Sequence, residues 1–285
     1  MYKPEPYAES LRLGERLAKI RHVVLDMDGT IYLGNNIFPY TIPFLERLGR
    51  LGIGWTFLTN NPTRSRRDYL AKLHAMGIRA GQEQLLTSAD VTIGYLHRNY
   101  PQIKKLYLLG TPSMAAQFEE AGFTHGEDPD AVVVSFDTTL TYEKLCRAAW
   151  WVSRGLPYIA TNPDRVCPTP DPTILVDCGS ICRCIEEATG RAPEAFAGKP
   201  DSRMLEPILH KTGLEPAEVA VVGDRIYTDI ALARNSGAFG VLVLSGETDA
   251  GMAAQSPIKG DLTVGNIGEF GMMLEEASGE NRNVV

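Results

Sequence analysis

Apolar and polar positions follow two periods along the chain. Short continuous apolar runs lie at 22–25 (HVVL), 54–58 (GWTFL), 217–222 (AEVAVV) and 239–244 (FGVLVL). A short apolar run without alternation suits a strand covered on both faces, and such strands belong to parallel sheets. The stretches at 42–50, 64–76, 202–211 and 228–235 have the spacing of amphipathic helices. Strands followed by helices predict a doubly wound α/β fold, in which ligands sit at the carboxyl ends of the strands. The middle of the chain repeats the pattern on a smaller scale. Strands are expected at 105–109, 131–135 and 157–160, and helices at 112–121, 142–154 and 180–189. Pro and Gly gather at both margins of this region. The expected organisation is a discontinuous core, 1–100 and 194–285, interrupted by an inserted α/β domain at 101–193. The end, 278–285, reads as a frayed tail.

Composition narrows the class. A chain of 285 residues with 44% hydrophobic and 22% charged residues suits globular domains with a real core. A net charge of −7 argues against a broad nucleic-acid or anionic-membrane surface. No apolar run reaches the roughly 18 residues of a membrane span, and the N-terminus shows no secretory apolar segment. The cysteines number five, an odd count placed mid-chain, which fits a reducing cytoplasm better than a disulfide scaffold. Cys178, Cys182 and Cys184 have no nearby His and read as buried small hydrophobes rather than a metal cluster. Trp150 and Trp151 read as core packing.

The chemistry lies where the apolar runs end. Asp26-Met27-Asp28-Gly29-Thr30 follows the first run, and two carboxylates at a strand tip form a hard-oxygen site suited to Mg²⁺. Helix capping by Asp28 or Thr30 is the plainer use of the same residues. Thr59-Asn60-Asn61 closes the second run and offers hydroxyl and amide donors to a phosphate, though Asn61 before Pro62 also suits a helix cap. Gly198-Lys199-Pro200 offers one cation and lacks the Ser/Thr of a nucleotide-binding P-loop. Gly223-Asp224 and Asp229 form a second acid pair, at a strand tip and in the turn after it.

Taken together, these four segments resemble motifs one to four of the haloacid dehalogenase (HAD) superfamily. With the insert between the second and third motifs, and with FLTNNPTRS, ATNPD and AGKPDS, the chain resembles the class IIA phosphatases, which include NagD-like nucleotidases and p-nitrophenyl phosphatases. The resemblance spans about Arg21 to Gly268. It implies an Mg²⁺-dependent hydrolase of small phosphate monoesters. Asp26 would be the nucleophile that forms an aspartyl-phosphate, and Asp28 the acid and base. Thr59, Asn60 and Lys199 would bind the phosphoryl group. Asp26, Asp28 through its main-chain carbonyl, and Asp224 would bind the metal, with Asp229 in support. The insert would be a cap whose segment 162–180, especially Asp177, Cys178, Gly179 and Ser180, faces substrate. Cap-to-cap homodimerisation is a habit of the family. The expected partner is a small phosphorylated metabolite. A phosphotransferase or mutase, and a phospho-accepting regulator, remain the alternatives.

Overall fold

The computed structural model describes residues 5–167 and 172–280. The chain divides into two compact units, one of residues 1–58, 76–78 and 208–285, the other of residues 59–75 and 79–207.

In the first unit the strands Leu262–Val264, Phe239–Val243, Val219–Gly223, His22–Leu25 and Gly54–Thr59 lie side by side in that order, all parallel. His22–Leu25 has all four residues buried, as its unbroken apolar run requires of a central strand. Chain order reverses across this strand. Gly54–Thr59 follows on one side and Val219–Gly223 returns on the other, so the switch point lies at the carboxyl end of His22–Leu25. The register Leu25↔Val222 puts the residues just after these two strands next to each other.

Two of the expected helices are shorter or differently wound. The 202–211 stretch divides into a 3₁₀ turn, Ser202–Met204, and a helix, Glu206–Thr212, because Pro207 has no amide to continue a helix through it. The 228–235 stretch opens with a wide turn, Ile226–Ile230, in which the Ile230 N–H reaches the Arg225 carbonyl at 3.3 Å, before the helix Ala231–Ser236. The helix Ile267–Glu280 takes up the first residues of the expected tail, and 281–285 lie outside the described residues. Among the described residues no helix is long and apolar enough to cross a membrane.

His22 opens the central strand, 8% exposed, with Nε2 2.9 Å from the Thr56 hydroxyl. Burial, and secondarily the Lys211 charge, pull its pKa from 6.5 down to about 4. The unfolded chain therefore binds a proton that the folded chain refuses. Stability is full above pH about 6.5 and falls as the pH drops from there towards 4, by roughly 3 kcal/mol in all. Denaturant melts of His22→Gln should show a flatter acid limb in that window.

The second unit holds a parallel sheet in the order Ala195–Phe196, Tyr158–Ala160, Ala131–Val134, Lys105–Leu109, Thr124–His125. Alternation in Ala131–Val134 feeds two cores. Val132 and Val134 pack with Ala148, Val152, Ile181 and Ile185 of the helices Tyr142–Ser153 and Cys178–Thr189. Val133 packs on the other face with Met114 and Phe118 of the helix Pro112–Glu120 and with Leu96. Helices on both faces explain why the run AVVV is apolar throughout. Cys178 and Cys182 are buried with their sulfurs 3.9 Å apart, but Cys184 is exposed and does not pack as expected. All five cysteines are free thiols. Trp151 packs partly against the core, whereas Trp150 is 58% exposed under the Arg154 guanidinium. The two are adjacent on one helix, about 100° apart, so both cannot face the same core.

Candidate active site

The backbone leaves the central strand at Asp26, whose N–H still donates to the Val222 carbonyl at 2.9 Å. Met27 turns inward and is buried; Asp28 turns out and is exposed, with its Oδ1 3.4 Å from the Gly34 N–H. Gly29 then adopts φ +87°, open to glycine, and a Cβ there would run into the Asp224 carboxylate. The neighbouring strand delivers Asp224 directly after Gly223. The wide turn that follows brings Asp229 back, its Oδ2 accepting the Arg225 N–H at 3.1 Å. Asp26, Asp224 and Asp229 thereby place one carboxylate oxygen each within 4.8 Å of one another, Asp26 half-buried and the other two buried.

Like charges at this spacing repel away from water, and the three oxygens could together hold a cation. The donor set is hard oxygen only, which suits Mg²⁺ rather than a thiolate- or imidazole-seeking metal. The surroundings are built around Asp224. Its Oδ2 accepts the Glu247 N–H at 2.6 Å, and a Cβ on Gly246 would collide with it. The 245–247 loop is pinned by Ser245 Oγ donating to the Gly29 carbonyl at 2.7 Å and by Arg225 pairing with Glu247 at 3.0 Å. Asp229, expected as support, contributes an oxygen to the cluster itself. The Asp28 carboxylate is absent from that group of three.

The second unit holds Thr59, Asn60 and Lys199, all buried. Thr59 Oγ1 accepts the Asn61 N–H at 3.1 Å. Asn61 closes a turn onto the Thr63 N–H at 3.0 Å and does not cap a helix directly. The helix Arg66–Ala75 starts later, where Asp68 accepts from the Ser65 N–H and hydroxyl and from the Ser113 hydroxyl. Those bonds, Ser113 first, hold the Asp68 carboxyl below the usual range. The Asn60 side chain is committed. Its Oδ1 accepts the Lys199 N–H at 2.7 Å, and its Nδ2 donates to the Lys199 carbonyl at 2.9 Å and to Asp164 Oδ2 at 2.7 Å. The close approach requires glycine at 198, where a Cβ would lie 2.6 Å from the Thr161 carbonyl.

In the 162–180 segment, residues 168–171 lie outside the described residues. Asp177 caps the helix Cys178–Thr189 by accepting the Cys178 N–H at 2.5 Å. The Cys178 thiol is buried, and burial pushes its pKa up. Gly179 packs against backbone, its N–H donating to the Asp164 carbonyl at 2.7 Å, and a Cβ there would strike the Pro163 carbonyl. Ser180 Oγ donates to the Arg165 carbonyl at 2.7 Å. These four groups hold the turn together. Asn162 and Asp164 fall in the ATNPD segment that carries the family resemblance and in the 162–180 segment expected to face substrate, but their sequence context assigns neither a role of its own.

A model of haloacid dehalogenase-like hydrolases matches residues 23–124, and a HAD-hydrolase-like model matches residues 196–270. The chain is 30% identical over 273 residues to chloroplastic phosphoglycolate phosphatase 1A of Arabidopsis thaliana, covering 87% of this chain and 75% of that one. It is 35% identical over 216 residues to the acid sugar phosphatase of Staphylococcus aureus, covering 75% and 82%. The crystal structure of 4-nitrophenylphosphatase from Thermotoga maritima superposes with a TM-score of 0.87 at 38% identity, covering 90% of this chain and 98% of that one.

Proposed function

Because the chain belongs to the haloacid dehalogenase-like hydrolases, among the phosphatases of the NagD and 4-nitrophenylphosphatase type, we propose that it hydrolyses small-molecule phosphate monoesters with Mg²⁺ through an aspartyl-phosphate. The observation that supports this reading is the convergence of Asp26, where the chain leaves the central strand at its switch point, with Asp224 and Asp229.

Asp26 attacks phosphorus with its carboxylate oxygen; the P–O bond to the alcohol breaks as the new P–O bond forms. Asp28, whose carboxyl is exposed rather than tied into the acidic cluster, gives its proton to the departing alkoxide. It then takes a proton from water, which attacks the aspartyl-phosphate and returns the Asp26 carboxylate and inorganic phosphate. Thr59 and the Asn60 main chain donate to the phosphoryl oxygens, and Lys199 supplies positive charge. Asp26, the Asp28 carbonyl and Asp224 would hold the metal, with Asp229 in support. When bound, Mg²⁺ neutralises charge on the phosphoryl oxygens and on the nucleophile. The inserted α/β domain, 101–193, acts as a cap whose Asp177–Ser180 turn shapes the leaving-group side, and a homodimer through the cap is the assembly to look for. A reducing cytoplasm is the proposed setting, consistent with five free thiols.

A panel of esters tests this: phosphoglycolate, sugar phosphates, nucleoside monophosphates, pyridoxal phosphate and p-nitrophenyl phosphate, each with Mg²⁺ and with chelator. Release of inorganic phosphate from at least one ester, lost with chelator, is expected. Release only when an acceptor alcohol is added would indicate a phosphotransferase, and an aspartyl-phosphate lasting hours would indicate a regulator.

A further inference from the structure

Beyond the strand ends of the second unit, buried polar groups form one continuous hydrogen-bonded chain, two of whose members, Asn162 and Asp164, have no part in catalysis as described. It starts at Lys199, whose main-chain N–H and carbonyl are both bound by the Asn60 carboxamide, at 2.7 and 2.9 Å. The same carboxamide donates to Asp164 Oδ2 at 2.7 Å. Asp164 Oδ2 also accepts from Asn162 Nδ2 at 3.0 Å, and that nitrogen donates its other proton to Asp177 Oδ1 at 3.0 Å. Asp177 in turn caps the helix Cys178–Thr189. Asn60, Asn162, Asp164, Asp177 and Lys199 are all less than a tenth exposed.

An asparagine side chain can sit in either of two orientations that exchange its oxygen and nitrogen, with nearly the same shape. Only one orientation serves Lys199, because its N–H needs the oxygen and its carbonyl needs the nitrogen. Asp164 Oδ2 accepts from two side-chain N–H groups and offers the Asn60 carboxamide an acceptor, so it takes the nitrogen and reinforces that orientation. In a dry interior such a choice is strongly enforced, since the reversed amide would face carboxylate with carbonyl oxygen. Asp164 is itself held on a second side, its carbonyl accepting the Gly179 N–H at 2.7 Å.

We propose that Asp164 is a positioning residue that, by fixing the orientation of the Asn60 carboxamide, holds the main chain of Lys199 in place and ties that placement to the Asp177 turn. The catalytic consequence rests on the reading of Lys199 as the cation of the phosphoryl site. A cation fixed in advance stabilises developing charge more than one that must reorganise, and small displacements of such groups are costly.

The test compares wild type, Asp164→Asn, Asn60→Ala and the double variant. The readouts are kcat and KM for p-nitrophenyl phosphate with Mg²⁺, and amide hydrogen exchange of the peptide containing Lys199. Asp164→Asn keeps the shape but lets residue 164 donate as well as accept, so the carboxamide loses the acceptor-only partner that reinforces its orientation. A fall in kcat on the order of tenfold is expected, with a smaller change in KM. On the Asn60→Ala background Asp164→Asn should cost nothing further, and exchange at the Lys199 amide should rise in both single variants. Independent, multiplying losses, or unchanged exchange at Lys199 in a folded Asp164→Asn protein, would overturn the proposal. If Asp164→Asn does not fold, Asp164→Ser replaces it: raised exchange at Lys199 is expected, and unchanged exchange would overturn the proposal. A wild type that hydrolyses no ester would sink the proposed function, while the exchange result would still decide whether Asp164 holds Lys199.

Discussion

Asp26→Asn should abolish turnover, lowering phosphate release by roughly a thousandfold or more, while the protein stays folded. An aspartyl-phosphate requires a carboxylate oxygen with a lone pair free to attack, and an amide is far too weak a nucleophile to replace it. The main chain at 26 is held by its N–H to the Val222 carbonyl, a bond the substitution leaves untouched. Removing one negative charge from three oxygens within 4.8 Å relieves repulsion, so the melting temperature of the metal-free protein should hold or rise. Phosphate release and a circular-dichroism melt check both halves. Near-normal turnover in a folded Asp26→Asn protein would exclude Asp26 as the nucleophile and leave the strand-tip carboxylate as a metal ligand alone.

Asp224→Asn should have the next largest effect, a loss on the order of a hundredfold at saturating Mg²⁺ with a higher Mg²⁺ requirement. The Glu247 N–H at 2.6 Å fixes which atom of the new side chain is oxygen, so the amide nitrogen must take the other position. A nitrogen with two protons can donate to nearby carboxylates but cannot bind a cation. A readout free of activity separates the two effects. Ligand that binds only the folded state raises stability with concentration, so Mg²⁺ should raise the melting temperature of the wild type and do so far less in Asp224→Asn. Equal shifts in both proteins would show that the cation binds elsewhere.

Much of this was legible before the fold was known. The unbroken apolar runs gave central strands because a strand covered on both faces cannot alternate. Asp26 and Asp224 stood out because polar residues directly after such runs lie where parallel sheets bind ligands, whereas Lys199 gained its role only from the family resemblance. Helix limits were less legible. Pro207 divides one stretch and a wide turn opens another, and periodicity is blind to both. Trp150 and Cys184 read as interior from their chemistry alone, yet each lies on the outer side of its helix.

The sequence by itself determined which elements form and which residues stand at their ends, because burial on one face or two is written in the spacing of apolar side chains. The tertiary structure alone decided which of those ends are neighbours. It brought a carboxylate oxygen of Asp229 within 4.8 Å of those of Asp26 and Asp224, through a turn one residue wider than an α-helix. It turned Asn60 inward to clasp Lys199, and gave Asp164 a purpose its sequence context did not reveal. Such pairings join residues more than a hundred positions apart. They depend on strand order and on glycines that let backbones meet, and no local pattern of side chains encodes either.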